Sequence, residues 1–155
     1  MSINFSRDRW DNVIDAYDKW WNNKLERPIV SIVASGKEPG RTMPAAPLLS
    51  QQTCTDFSSS ADDIADRLDY ELSKEIYIGD AFPRVNLDFG PGVLSAFCGA
   101  KLDNSSGVVW FHPPQNINEL TDIHFEYDPN NKWFCRIKDI CGACVKRWKG
   151  SVLIG

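Results

Sequence analysis

The chain has 155 residues, with 17 Lys and Arg against 21 Asp and Glu, for a formal net charge of −4. Charged residues at 25% and apolar residues at 43% exclude a fully disordered polypeptide, which needs low hydrophobicity and high net charge. No apolar run approaches the roughly 20 residues of a membrane helix, and a slightly acidic chain without a basic stripe is not built to bind nucleic acid. The length suits one domain, or part of one.

The first predicted element is a helix. Ser6 can cap it, and Asp8 lies in its first turn, where negative charge suits the helix dipole. Trp10, Val13, Ile14, Tyr17, Trp20 and Trp21 follow as one apolar stripe at helical period, and Pro28 is the expected stop. Ile29 to Val33 reads as a strand. From Ser35 to Ser60 the chain is rich in Gly, Pro, Ser and Thr, so a long irregular segment is expected, with Leu48, Leu49 and Phe57 packing it down.

Ser60 and Asp63 form a capping-box pattern. Ile64, Leu68, Leu72 and Ile76 then recur at i+4, predicting a helix that Gly79 ends. Arg84 to Phe89 alternates as a strand does. It runs through Gly90-Pro91-Gly92 into a short apolar helix, Val93 to Cys98. A turn at Asn104 to Gly107 leads to a strand at Val108 to Phe111, closed by Pro113-Pro114. Asp128-Pro129 predicts the start of a helix running to Lys149. Its stripe is Trp133 or Phe134, Ile137, Cys141, Cys144 or Val145, and Trp148. Ser151 to Ile154 is a short apolar strand before Gly155.

Helices alternating with strands define an α/β class. A continuously apolar last strand is the pattern of a parallel sheet covered on both faces. With nothing after it to supply the second cover, the reading is the N-terminal part of a larger α/β protein. Five cysteines, an odd number, and acidic residues at 8, 11 and 15 in place of a secretory leader predict reduced thiols and a cytoplasmic location.

Four segments occur in order: Leu25-Glu26-Arg27-Pro28, Gly40-Arg41-Thr42-Met43-Pro44, Asn86-Leu87-Asp88-Phe89-Gly90-Pro91-Gly92, and Phe97-Cys98-Gly99-Ala100. As a set they resemble the N-terminal half of uroporphyrinogen decarboxylase-like proteins. That resemblance implies the first part of a (β/α)8 TIM barrel, truncated here because a full barrel needs about 200 residues or more. Residues 1–60 would be the N-terminal helix, strand and long loop, and 61–155 the first barrel elements.

The activity implied is cofactor-free decarboxylation of a porphyrinogen or other polycarboxylate. Asp88 is the implied catalytic carboxylate, at a strand end facing pyrrolic N–H groups. Arg41 is implied to bind substrate carboxylates, with Lys37 as the nearest further cation and Asn86 beside Asp88. A second branch of the family, corrinoid-linked methyltransferases that use zinc, is the same-fold alternative. A non-catalytic piece or binding subunit that completes its core with another chain is the alternative of a different class. A small-molecule substrate is the expected partner, with no membrane, no nucleic acid and no metal ligand in this chain. Association into homo-oligomers would run through exposed apolar surface.

Each candidate has a plainer reading. Asp88 can cap the Gly90 to Gly92 turn, and Arg41 and Lys37 can be solvated loop charges. His112, at a strand end, can serve as an acid–base group in a pocket or as a surface histidine, and so can His124. Cys141-Gly142-Ala143-Cys144 has the redox C-x-x-C spacing, but it sits late in its helix rather than at the N-terminus where a dipole would activate a thiol. Small core cysteines are the better reading. Cys135 falls on another side of that helix.

Overall fold

The computed structural model describes residues 3–113, 119–122 and 128–155. Helix α1 (Arg7–Trp21) starts as expected. Extended Ser6 accepts the Arg9 N–H at 3.3 Å, and Asp15 pairs with Lys19 one turn on at 2.6 Å. The helix ends well before Pro28. Asn22 caps it, and Asn23 takes a left-handed φ of 54°, which asparagine tolerates better than most residues. The apolar stripe is only half covered: Val13 and Ala16 are buried, but Trp21 is 74% exposed.

Strand β1 (Ser31–Ser35) begins two residues later than the sequence suggests. Helix α2 (Ala61–Ser73) has the full capping box, with Ser60 and Asp63 exchanging hydrogen bonds. It stops short of Ile76. Glu75 to Gly79 instead forms strand β2, antiparallel to β1, with Ile32 opposite Ile78 and Ala34 opposite Ile76. Isoleucine and tyrosine favour a pleated surface, and cross-strand pairing with β1 outweighs one more helical turn. Gly79 therefore ends a strand, not a helix. At φ 67° a Cβ there would run into the Val30 carbonyl oxygen.

Two-residue strand β3 (Arg84–Val85) is followed by the short helix α3 (Val93–Phe97) and a hairpin of β4 (Lys101–Asp103) and β5 (Trp110–His112). The expected strand over Arg84 to Phe89 survives only in its first two residues, and β4 was not foreseen. Helix α4 (Lys132–Trp148) is capped by Asn131, whose Oδ1 accepts the N–H groups of Trp133 and Phe134. Asp128 instead accepts the Asn130 N–H in the preceding turn. Strand β6 (Leu153–Ile154) closes the chain against β3 in parallel register, Arg84 beside Leu153 and Val85 beside Ile154. Pro114 and His124 lie outside the described residues.

The chain mixes helices and strands, but β2 and β3, and β4 and β5, follow one another without a helix between them, and the barrel expectation is corrected. The described strands form three separate two-stranded sheets, β1–β2, β3–β6 and β4–β5, and close no barrel. Two of the three are antiparallel, because β1 and β4 pair with partners that local turns and α2 bring back to them. Only β3 and β6 are parallel, through a long connection that holds α3, the β4–β5 hairpin and α4.

The main core lies between α2 and α4. Ile64, Ala65, Leu68 and Leu72 meet Ile140, Cys144 and Trp148, and Val85, Phe89 and Val152 sit beneath them. The α4 stripe is rotated from the predicted one. Ile140 is fully buried, whereas Val145 is 60% exposed and Cys141 only half-buried. The long segment after β1 packs through Ala46 and Cys54, which are buried, and through partly buried Leu49, whereas Leu48 and Phe57, expected to pack it down, are exposed. A smaller aromatic core joins Phe5, Val13 and Tyr77 to Trp10 and Phe82. Among the described residues no helix is long and apolar enough to cross a membrane.

One ion pair holds the β1–β2 ribbon to the segment before it. Buried Asp80 accepts from Arg27 Nη1 and Nη2, each at 2.6 Å, and from the Val30 N–H at 2.9 Å. The Arg27 hydrogen bonds and that N–H bring its pKa down to about 2. The unfolded value is about 3.9, so this stabilisation is complete above pH 4 and disappears as pH falls through about 2. Asp80→Asn is expected to cost about 1–2 kcal/mol at pH 7 and to flatten stability between pH 4 and pH 2. Urea titrations across that range test it; an unchanged acid limb would contradict the assignment.

Candidate functional site

Asp88 stands at the carboxyl end of β3, three residues past Val85. The Leu87 N–H donates to the Gly155 carbonyl (3.1 Å), carrying the pairing with the last strand one bond further, and the chain then turns through Gly90 at φ 81°. The side chain is exposed. Its Oδ1 accepts the Gly90 N–H at 3.0 Å, and its Oδ2 accepts from Gln51 Nε2 at 3.3 Å. The turn-capping role weighed from sequence is thus present, and Gln51 ties the carboxylate to the long segment. Gln51 Oε1 also accepts the Val109 N–H at 3.2 Å, so one amide joins the strand end to the residues leading into β5. Glycine at 90 is required twice over, by its φ and because a Cβ would press on Val109.

Asn86 is exposed beside Asp88, its Oδ1 close to Gly155 at the end of β6. Both residues therefore lie where the two parallel strands end. Cys54 is buried nearby. Burial first, and the negative charge of Asp88 second, push its thiol pKa up, so it is an unreactive thiol.

Arg41 lies elsewhere. Its Nη1 reaches Asp66 Oδ1 and Oδ2 at 3.0 and 3.1 Å, and its Nη2 reaches Asp69 Oδ2 at 3.1 Å. Asp69 also accepts from Trp148 Nε1 at 2.9 Å. Trp148 and Ser151 precede β6, so Arg41 sits toward the amino end of the parallel pair and Asp88 beyond its carboxyl end. The structure does not bring them together. Lys37 is half-buried and joins the β1–β2 ribbon through its N–H to the Lys74 carbonyl. His112 is exposed on β5, with Nε2 4.0 Å from Asp103. The five residues singled out from the sequence thus fall in four places, with only Asn86 and Asp88 adjacent.

Two groups escaped the sequence reading. The first is the Asp66–Asp69 pair, which converges with Arg41 and Arg147. Its signal was a carboxylate, Asp69, one position from Leu68 on the inward stripe of α2. The second is Gln51, for which the sequence holds no signal.

All five thiols are free. Cys144 is buried and its pKa is pushed up to about 11 by burial and by neighbouring Cys141, whose own thiol burial also raises. Neither is activated as a redox thiol would be. Among the described residues no three His, Cys, Asp or Glu side chains converge as a metal site requires.

Comparison of the chain with family models, with curated proteins and with solved structures finds no match in any of the three. Any account of function therefore stands on residues and geometry.

The Arg41 contacts mark it as a structural tie between the long segment and α2. Arg41→Ala is expected to destabilise the fold by about 1–3 kcal/mol, because Asp69 would keep its charge in the α2–α4 seam with one partner fewer. Lys37→Ala should cost less than about 0.5 kcal/mol. Chemical denaturation of both variants tests this; equal effects would remove the tie.

Proposed function

We propose that this chain carries the substrate-binding strand end of a cofactor-free carboxy-lyase of the uroporphyrinogen decarboxylase-like kind, acting on a porphyrinogen or a similar polycarboxylate. The observation that carries the reading is the parallel pairing of β3 with β6, which follows α4, with Asn86 and Asp88 where those two strands end. In α/β proteins, ligands bind outside the carboxyl ends of parallel strands. A carboxylate there accepts hydrogen bonds from ring N–H groups.

The chemistry needs such a group. When the C–C bond to a carboxylate breaks, CO2 leaves and its electron pair returns to the ring system, which accepts it when protonated. A proton then replaces the lost carboxyl group. An anionic Asp88 beside the ring N–H groups would stabilise the cationic ring through which the reaction passes. Gln51 and the Gly90 N–H hold the carboxylate in one orientation, so little reorganisation is needed. Asp88 and Asn86 are the residues of this reading; Arg41, engaged with two aspartates, is not.

In the test, the chain is titrated anaerobically with a porphyrinogen bearing acetate side chains, and binding and CO2 release are measured. Asp88→Asn should weaken binding about tenfold or more while the melting temperature stays within a few degrees. Failure of the parent chain to bind, or an Asp88→Asn variant that binds equally well, would overturn the reading.

A second reading, a binding subunit, is favoured by the outer edge of β6. In the parallel register Ile154 turns its N–H and C=O away from β3, leaving an edge able to pair with another strand. A groove of about 410 Å³ runs beside it, lined by Trp10, Ile14, Val145, Trp148 and Leu153; Ile14, Val145 and Leu153 are each more than half exposed. On this reading a second copy associates through β6. Sedimentation should then show a concentration-dependent dimer that Leu153→Lys abolishes; a strictly monomeric parent chain would exclude it.

A further inference from the structure

A cavity of about 560 Å³ opens between the N-terminal segment, the long loop, α2 and the end of α4, walled by Ile3, Phe5 and Trp148 on its apolar side and by Arg41, Asp69, Arg147 and Ser151 on its polar side. The two guanidinium groups are used differently. Arg41 spends both terminal nitrogens on Asp66 and Asp69. Arg147 uses only Nη1, which meets Asp66 Oδ1 at 2.8 Å and lies 3.8 Å from Asp69 Oδ2. Its Nε–Nη2 edge makes no hydrogen bond among the described residues. That edge is the fork that matches a carboxylate with two parallel N–H bonds. The side chain is only 34% exposed, and its Nη1 stays paired with Asp66.

We infer that this cavity is a binding site for a small monocarboxylate with an apolar body, received on the free edge of Arg147. The apolar wall suits the body and the fork suits the head. Charge balance selects the anion. Two arginines face two aspartates, so the cluster sums to zero before the ligand arrives. A phosphate dianion would bring close to two negative charges into that balance, and a monocarboxylate brings one. With little net field, affinity comes from directed hydrogen bonds and apolar contact, and it depends only weakly on salt. Arg41 supports the site by neutralising the aspartates. The site lies away from Asp88, so the proposal stands or falls apart from the carboxy-lyase reading.

The test is calorimetry on the full chain with 3-phenylpropionate, its amide and inorganic phosphate. The carboxylate should bind about tenfold or more tighter than either of the others, the value of one bidentate charge-assisted pair. Arg147→Lys keeps the charge facing Asp66 and removes the fork, and should lose about as much. Lys146→Gln, which removes a positive charge from the neighbouring residue, should leave binding unchanged, and so should Asp88→Asn. No binding by the parent chain, equal binding of acid and amide, a preference for phosphate, or an equal loss in Lys146→Gln would each overturn the assignment.

Discussion

Asp69 carries a carboxylate into the seam between α2 and α4, and the arrangement of the rest depends on how that charge is met. It is 8% exposed. A charge so placed is tolerable only when hydrogen-bonded and paired. Trp148 at the end of α4 supplies the indole N–H, and Arg41 supplies a guanidinium from the long segment. One side chain thereby fixes three elements against one another. The apolar contacts of Ile64, Leu68, Ile140 and Cys144 contribute most of the energy of this seam, but they are non-directional. The Asp69 contacts select one alignment among several that would bury similar area.

That alignment decides what the parallel strands can do. Trp148 is the last residue of α4, and β6 follows within a few residues. Fixing Trp148 on α2 sets where β6 starts and how far it runs beside β3. Its carboxyl end, with Gly155 beside Asn86, is the end that bears Asp88. The opposite end carries the Arg41–Arg147 cluster. The described residues thus have two chemically distinct poles: an oriented, solvent-facing carboxylate, and a balanced ionic cluster with one guanidinium edge that meets no partner among them. The first suits N–H donors and the second suits a carboxylate.

Separation of these poles changes the meaning of Arg41. In sequence it is a basic residue in a Gly- and Pro-rich loop, the kind of residue that receives an anionic substrate. In the structure its charge is met by Asp66 and Asp69, which are three residues apart and so share one face of α2. The spacing of those aspartates was visible in the sequence; that a loop arginine more than twenty residues away would land on them was not. Asp88 differs, because its turn contact with Gly90 is local and could be anticipated from the Asp-Phe-Gly order alone.

The sequence by itself determined what depends on near neighbours. It set the cap of α1 at Ser6, the capping box of α2, the approximate span of α4 and the mixture of helices with strands. These follow from backbone donors needing acceptors a few residues away and from apolar periodicity. Tertiary structure decided whatever turned on distant partners. Ile76 to Ile78 left the helical pattern because β1 offered pairing. Among the described residues two of three strand pairs are antiparallel and no barrel closes, since β1 and β2, and β4 and β5, take the partner that the intervening segment brings back to them. Ile140 took the core place expected for Cys141, and of Cys144 and Val145 it is Cys144 that is buried, because the rotation of a helix is set by the face it meets. Local propensity is a difference of tenths of a kcal/mol per residue, whereas each buried contact with a distant element is worth more, so the distant contact prevails wherever the two disagree.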